Sequence, residues 1–256
     1  MGKIIFYEDR NFAGRYYECV SDCADLHSMF DRCRSIRVES GMFMIYDRRD
    51  YMGNQYFMRR GEYSDYLSTT SMNSCVRSCR LIPSIIFFED RNFSGRRVEC
   101  SADCGDLTCL LSCCNSIRVE SGCFMVYEKP NYNGNQYYLS KGEYSDVQHW
   151  MGANDSISSC RLIPTQEPGS FNMRLYERIE FGGQMMDLVD DCPSVMDRFH
   201  TTDIFSCNVT NGNWLFYEHP NYRGRMYLIR PGEYKRFSEW GGRSARVGSI
   251  RRIMDY

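Results

Sequence analysis

The sequence predicts an all-β chain built from repeated Greek-key units, and three observations predict it. An octet of the form aromatic-acid-x-x-x-aromatic-x-Gly recurs six times, each copy is followed by alternating apolar and polar residues, and every second repeat adds a Gly-Glu-Tyr. The octets start at Tyr7, Tyr46, Phe88, Tyr127, Tyr176 and Tyr217, and end at Gly14, Gly53, Gly95, Gly134, Gly183 and Gly224. Each reads as a strand running into a tight turn, where two aromatics bracket the bend and glycine supplies a positive φ. Stretches such as Gln55-Tyr56-Phe57-Met58-Arg59 alternate with period two and predict half-buried strands. Repeats close in a second alternating run, as in Ser35-Ile36-Arg37-Val38, Ser116-Ile117-Arg118-Val119 and Ser249-Ile250-Arg251-Arg252. About 40 residues with several short strands make one Greek-key unit. Such a unit buries its sheet face only against another.

The partner is legible too. Gly61-Glu62-Tyr63, Gly142-Glu143-Tyr144 and Gly232-Glu233-Tyr234 fall in the even repeats, so two unlike halves alternate and a pair is the folding unit. The first two pairs end alike, in Cys79-Arg80-Leu81-Ile82-Pro83 and Cys160-Arg161-Leu162-Ile163-Pro164. Three domains are expected, at 1–83, 84–164 and 172–256. A polar, Pro/Gly-bearing linker at 165–171 precedes the last, whereas Ser84 alone separates the first two.

Composition narrows the function. The 256 residues carry 33 acidic and 31 basic side chains, a net charge of −2 that offers no field for steering nucleic acid or anionic membrane. Of the basic residues 27 are Arg and 4 are Lys, which suits short-range ion pairs and stacking on aromatic rings. No apolar run reaches membrane-spanning length, and the N-terminal residues do not read as a signal peptide. The 14 Cys are then expected to be free cytosolic thiols, with Cys19/Cys23, Cys75/Cys79 and Cys100/Cys104 brought to one side of a strand by their spacing of four. The four His lack zinc-hydrolase spacing and no phosphate-binding glycine loop occurs, so neither enzyme activity nor a cofactor is expected. His149-Trp150 and Glu239-Trp240 read as Trp packed at a domain edge. Arg243, Arg246, Arg251 and Arg252 read as a solvated face.

Taken together, the octets, the Gly-Glu-Tyr corners and the stretch Asp197-Arg198-Phe199-His200 resemble the βγ-crystallins, specifically the vertebrate lens γ-crystallins. Residues 84–256 look like a whole two-domain γ-crystallin, and 1–83 like a second copy of its N-terminal domain. Met29, Met42, Met44, Met52, Met58 and Met72 add a likeness to the Met-rich γM class of aquatic vertebrates. The first domain lacks Trp; Phe43 and Thr69 stand where family members commonly carry it. The resemblance implies a structural protein of the eye lens, held at high concentration in fibre-cell cytoplasm and in weak contact with other lens crystallins. Met, Cys, Arg and aromatics are polarizable, which fits a refractive role.

The alternative is a calcium-binding βγ module with a buffering or stress role outside the lens. Asn154-Asp155-Ser156-Ile157-Ser158-Ser159 matches the superfamily's calcium loop, making Asn154, Asp155, Ser158 and Ser159 candidate oxygen ligands. The partner loop in the same domain, Leu111-Ser112-Cys113-Cys114-Asn115-Ser116, does not match. A polar loop closed by a folding serine is the plainer reading. Finally, in two-domain γ-crystallins an apolar patch on one domain packs on its equivalent in the other. The resemblance places Met125, Tyr138 and Ile163 opposite Leu215, Leu228 and Ile253, and leaves Met44, Phe57 and Ile82 as a third patch. Self-association through that first-domain patch is expected.

Overall fold

A computed structural model describes residues 2–65, 75–164 and 169–254. Thr69, Met72 and residues 165–168 of the expected linker lie outside the described residues. The chain divides into two compact units, one of residues 1–86 with 99–102 and 118–122, the other of 87–98, 103–117 and 123–256.

In the first unit, β1 (Lys3–Tyr7), β2 (Tyr16–Cys19), β3 (Ser35–Ser40) and β6 (Gly61–Tyr63) form an antiparallel sheet in the order β2-β1-β3-β6. A second sheet holds β4 (Met42–Tyr46), β5 (Gln55–Met58) and β7 (Ser78–Ile82), ordered β5-β4-β7. The Gly-Glu-Tyr strand β6 comes from the second repeat yet pairs with β3 of the first, which is why the two halves are unlike in sequence. In return, the first repeat sends a single bridge, Cys23↔Cys79, into the second sheet. The period-two pattern delivers Ile4, Phe6, Ile36 and Val38 from one sheet onto Phe43, Ile45 and Met58 from the other, forming one buried core.

The second unit repeats this plan. The strands β15 (Asn172–Tyr176), β16 (Met185–Leu188), β17 (Ser206–Asn211) and β20 (Gly232–Tyr234) take the order β16-β15-β17-β20. Their core is Met173, Leu175 and Val209 against Trp214, Phe216 and Ile250. A six-stranded sheet joins β11 (Cys123–Lys129), β12 (Asn133–Leu139) and β14 (Ser159–Ile163) to β18 (Trp214–His219), β19 (Arg223–Ile229) and β21 (Ser249–Arg252), in the order β14-β11-β12-β19-β18-β21. A further sheet, whose residues are divided between the two units, has the order β13-β10-β8-β9, from β8 (Ser84–Phe88), β9 (Arg97–Cys100), β10 (Ser116–Ser121) and β13 (Gly142–Tyr144).

The all-β expectation holds, with one short helix among the described residues, α1 (Val195–Phe199): Ser194 accepts from the Asp197 N–H, and Val195 and Phe199 are buried. One expectation needs correction. The paired cysteines do not share a strand. Cys19 and Cys100 end β2 and β9, while Cys23 and Cys104 lie past them on bridges to Cys79 and Cys160. Trp150 and Trp240 are packed and buried, as is Trp214, with Trp240 edge-on to Phe216 at 5.3 Å.

Candidate functional site

The octet proves to be a folded hairpin with one geometry six times over. The residue before the second aromatic, and that aromatic itself, both sit in the left-handed region: Asn11 and Phe12, Asp50 and Tyr51, Asn92 and Phe93, Asn131 and Tyr132, Glu180 and Phe181, Asn221 and Tyr222, with φ of 55–61°. The octet glycines have the expected positive φ, 77–82°, and these two non-glycine residues join them. Left-handed backbone costs a non-glycine residue about 1–2 kcal/mol, so something else must hold it.

The holder is the serine that opens the closing strand. Ser35, Ser78, Ser116, Ser159, Ser206 and Ser249 are all fully buried. Each hydroxyl accepts from the N–H of the second aromatic at 2.9–3.1 Å and donates to a carbonyl of the turn at 2.5–2.7 Å. The two aromatics then meet with ring centroids 5.4–5.9 Å apart. The closing glycine is needed as well: at Gly14, φ 81°, a Cβ would lie 2.7 Å from Asp9 Oδ2. Each Gly-Glu-Tyr corner carries a parallel device, with Tyr63, Tyr144 and Tyr234 hydroxyls donating to the carbonyls of Arg59, Ser140 and Arg230.

In the second unit, the strands β12 and β19 meet edge to edge at Gln136↔Met226. Met125, Ile163, Leu215, Leu228 and Ile253 lie there in one buried cluster, with Tyr138 partly buried against it. Two residues absent from the sequence reading close the junction. Gln136 accepts from Leu228 N–H at 3.0 Å and donates to Trp240 O at 3.2 Å, while Tyr138 N–H faces Met226 Sδ at 3.2 Å. The signal for Gln136 was its place two residues from Tyr138, on the same face of the strand. Burial beneath this cluster pushes the Tyr127 hydroxyl up to about 12. Met44, Phe57 and Ile82 sit at the matching ladder positions of β5-β4-β7; Phe57 is 43% exposed, and the other two are half-buried.

The calcium candidates fall in a loop where each of the four side chains already makes a protein hydrogen bond. Asn154 Oδ1 accepts from the Ser156 N–H and hydroxyl, and Asp155 Oδ2 from Asn115 at 3.5 Å. Ser158 donates to Ser156 O, and Ser159 is the hairpin serine of Lys129 and Tyr132. Three backbone carbonyls are engaged as well: that of Asp155 by Cys114 N–H, that of Ser156 by the Ser158 hydroxyl and that of Ser158 by Leu107 N–H. Among the described residues no group of three or more His, Cys, Asp or Glu is arranged to hold a metal ion.

Serine, histidine and aspartate do meet at the surface, but in the wrong order for catalysis. Ser145 Oγ and Asp146 Oδ1 both approach the same ring nitrogen, His149 Nδ1, at 3.3 and 2.9 Å. A proton relay needs its carboxylate and nucleophile on opposite nitrogens. Asp146 instead caps the following turn through Gln148 and His149 N–H, and its contact with His149 holds its carboxyl below the usual range. The basic run is tied down too: Arg251 lies over Tyr222 at 5.6 Å, and Arg252 pairs with Asp191 at 3.0 Å and Asp190 at 3.4 Å.

None of the fourteen cysteines is in a disulfide, and of them only Cys109 is exposed. The bridge Cys23↔Cys79 brings Cys19, Cys23 and Cys79 together. Hydrogen bonds from Cys79 and Cys23 lower the Cys19 thiol, while its bond to Cys19 and its burial push Cys79 up.

Comparison with known proteins agrees with this architecture. The family model described as Beta/Gamma crystallin matches residues 3–82, 84–163 and 172–253. Gamma-crystallin M2 of Chiloscyllium indicum is 63% identical over 171 residues, covering 67% of this chain and 97% of that protein. Gamma-crystallin B of Bos taurus is 59% identical over 172 residues, and that of Homo sapiens 60% over 171; each comparison covers 67% of this chain, with 98% and 97% of the relative. Six locked hairpins, the strand exchange between paired repeats and these matches have one explanation: the chain belongs to the beta/gamma crystallin family and is a structural, non-enzymatic, γ-crystallin-like protein.

Proposed function

We propose that this chain is a refractive protein of the eye lens, acting by mass concentration in fibre-cell cytoplasm and in weak contact with other lens crystallins. The observation that carries the reading is the likeness to gamma-crystallins, close to 60% identity over nearly their full length. The physics of the chain supports it. Polarizable groups are placed at the surface as well as the core: Met52, Met151, Met185 and Met254 are exposed, and arginines sit over tyrosine rings, Arg80 on Tyr51 and Arg161 on Tyr132, each 3.9 Å from the ring centroid. Near-zero net charge leaves solubility to mixed-sign pairs such as Arg174–Asp187 at 2.6 Å and Lys3 between Glu18 and Glu39. We further assign the domains to 1–83, 84–164 and 172–256, with 165–171 as linker.

Intact-mass spectrometry of soluble lens extract tests the function directly. An abundant species near 30.1 kDa is the expected result, and absence of the chain from lens would overturn it. Differential refractometry adds a physical check, with an increment per gram above that of ordinary globular proteins.

A further inference from the structure

Three sheets of one kind occur among the described residues: β5-β4-β7, β12-β11-β14 and β19-β18-β21. The last two are joined through β12 and β19, and their equivalent residues meet. The first ends at the edge strand β5, with Phe57 43% exposed and Gln55 exposed, whereas Leu228 and Gln136 at their sites in the joined sheets are each 6% exposed. An exposed apolar edge strand invites pairing.

We propose that a second copy of this chain covers this face, the two β5 strands meeting edge to edge across a two-fold axis. The junction in the second unit shows why the occupant is another copy. It is reciprocal: Leu228 N–H binds the side chain of Gln136, and Tyr138 N–H the side chain of Met226, so each strand gives one N–H and takes one from its neighbour. The ladders place Gln55 where Gln136 and Met226 stand, and Phe57 where Tyr138 and Leu228 stand. One strand therefore carries both halves of the reciprocal contact, which is what a two-fold interface requires. Each Gln55 amide oxygen accepts from the partner copy's Phe57 N–H, so both contacts are amide bonds where the internal junction has one amide and one thioether. One cation sits on the face itself: Arg59 lies over the Phe57 ring at 5.5 Å and swings aside when the strands pair. Arg80 lies over Tyr51 as Arg161 lies over Tyr132 and Arg251 over Tyr222, so the rim cations occupy positions that the internal junction already accommodates on both sides. Phe57, Met44 and Ile82 supply the apolar centre.

Sedimentation equilibrium of the full chain from micromolar to millimolar tests this, with a reversible monomer–dimer equilibrium expected. Phe57→Glu raises the dissociation constant by about tenfold or more, and Phe57→Leu, the residue found at position 228, preserves association. Both changes are at an exposed side chain, and circular dichroism verifies the fold. Gln55→Cys reads the symmetry: paired β residues have Cα atoms about 4.5–5.5 Å apart, within disulfide reach, so mild oxidation yields a 55–55 cross-link between copies. A monomer across the whole range overturns the proposal. So does dimerisation untouched by Phe57→Glu. A dimer that Leu228→Glu disrupts and that forms no 55–55 link would be an exchange of later domains, and overturns it equally.

Discussion

Ser206→Ala removes one oxygen from the fifth hairpin, and its cost follows from what that oxygen holds. The hydroxyl is fully buried, accepts from Phe181 N–H at 3.0 Å and donates to Arg178 O at 2.6 Å. Alanine leaves both backbone groups without this partner in a space too small to hydrate. An orphaned buried polar group costs about 1–3 kcal/mol, with the donor the dearer, so the pair sums to roughly 2–4 kcal/mol. The loss is not recovered by relaxation, because Glu180 and Phe181 are kept at φ 55° and 61° by that same hydroxyl. Urea unfolding is the assay. With a slope of about 1.5 kcal/mol/M for a domain of this size, the midpoint falls by roughly 1.3–2.7 M. Trp214 and Trp240 report on this domain, residues 1–83 contain no Trp, and the one other Trp, Trp150, is replaced by Phe in the reference and variant alike. Glu180→Gly supplies the opposite sign: it relieves about 1–2 kcal/mol of left-handed strain against about 0.5–1 kcal/mol of added chain entropy, for a small net gain. A Ser206→Ala loss below about 0.5 kcal/mol, the range of neutral surface changes, would refute the view that the serine holds the hairpin.

Three other outcomes follow. Gln136→Ala leaves Leu228 N–H and Trp240 O without their partner and lowers stability by about 1–3 kcal/mol; fluorescence then resolves separate unfolding of the Trp150 region and the Trp214/Trp240 region, where the wild type shows one transition. Tyr127, pushed up to about 12 by burial, stays protonated when folded at pH values where the unfolded tyrosine, near 10, has ionised. Its contribution is full below pH 10 and is lost as pH rises from 10 to 12, by up to about 2.7 kcal/mol; alkaline unfolding followed at the phenolate absorbance checks this, with Tyr127→Phe less sensitive. Because Asn154, Asp155, Ser158 and Ser159 already make protein hydrogen bonds, calorimetric titration with millimolar calcium gives no saturable heat, and chelation leaves the melting temperature unchanged.

The fold was legible because its signals are local. Octet, alternation and Gly-Glu-Tyr each lie within about ten residues, and period two puts Ile4 and Phe6 on one face whatever follows. The serines were visible as repeat ends, and the apolar patch followed from family likeness. Other features were hidden for a definite reason. Nothing in the sequence near Asn11 or Phe12 marks two left-handed residues in succession, since the serine that stabilises them lies 23 residues on. The thiols of Cys19 and Cys79 meet only through strand exchange. Gln136 and Met226 are 90 positions apart, and neither is unusual in its own strand.

Taken alone, then, the sequence determined the class of fold, the number of repeats, their pairing and the family, because hydrophobic period and turn chemistry act between near neighbours. Tertiary structure decided the rest. It assigned the hairpin serines their load, showed that Ser145, Asp146 and His149 share one nitrogen and form no relay, and separated a buried patch from an exposed one of nearly the same composition. Leu228 and Phe57 stand at equivalent ladder positions. What differs is whether another sheet lies against them, and that is a property of how distant segments are brought together.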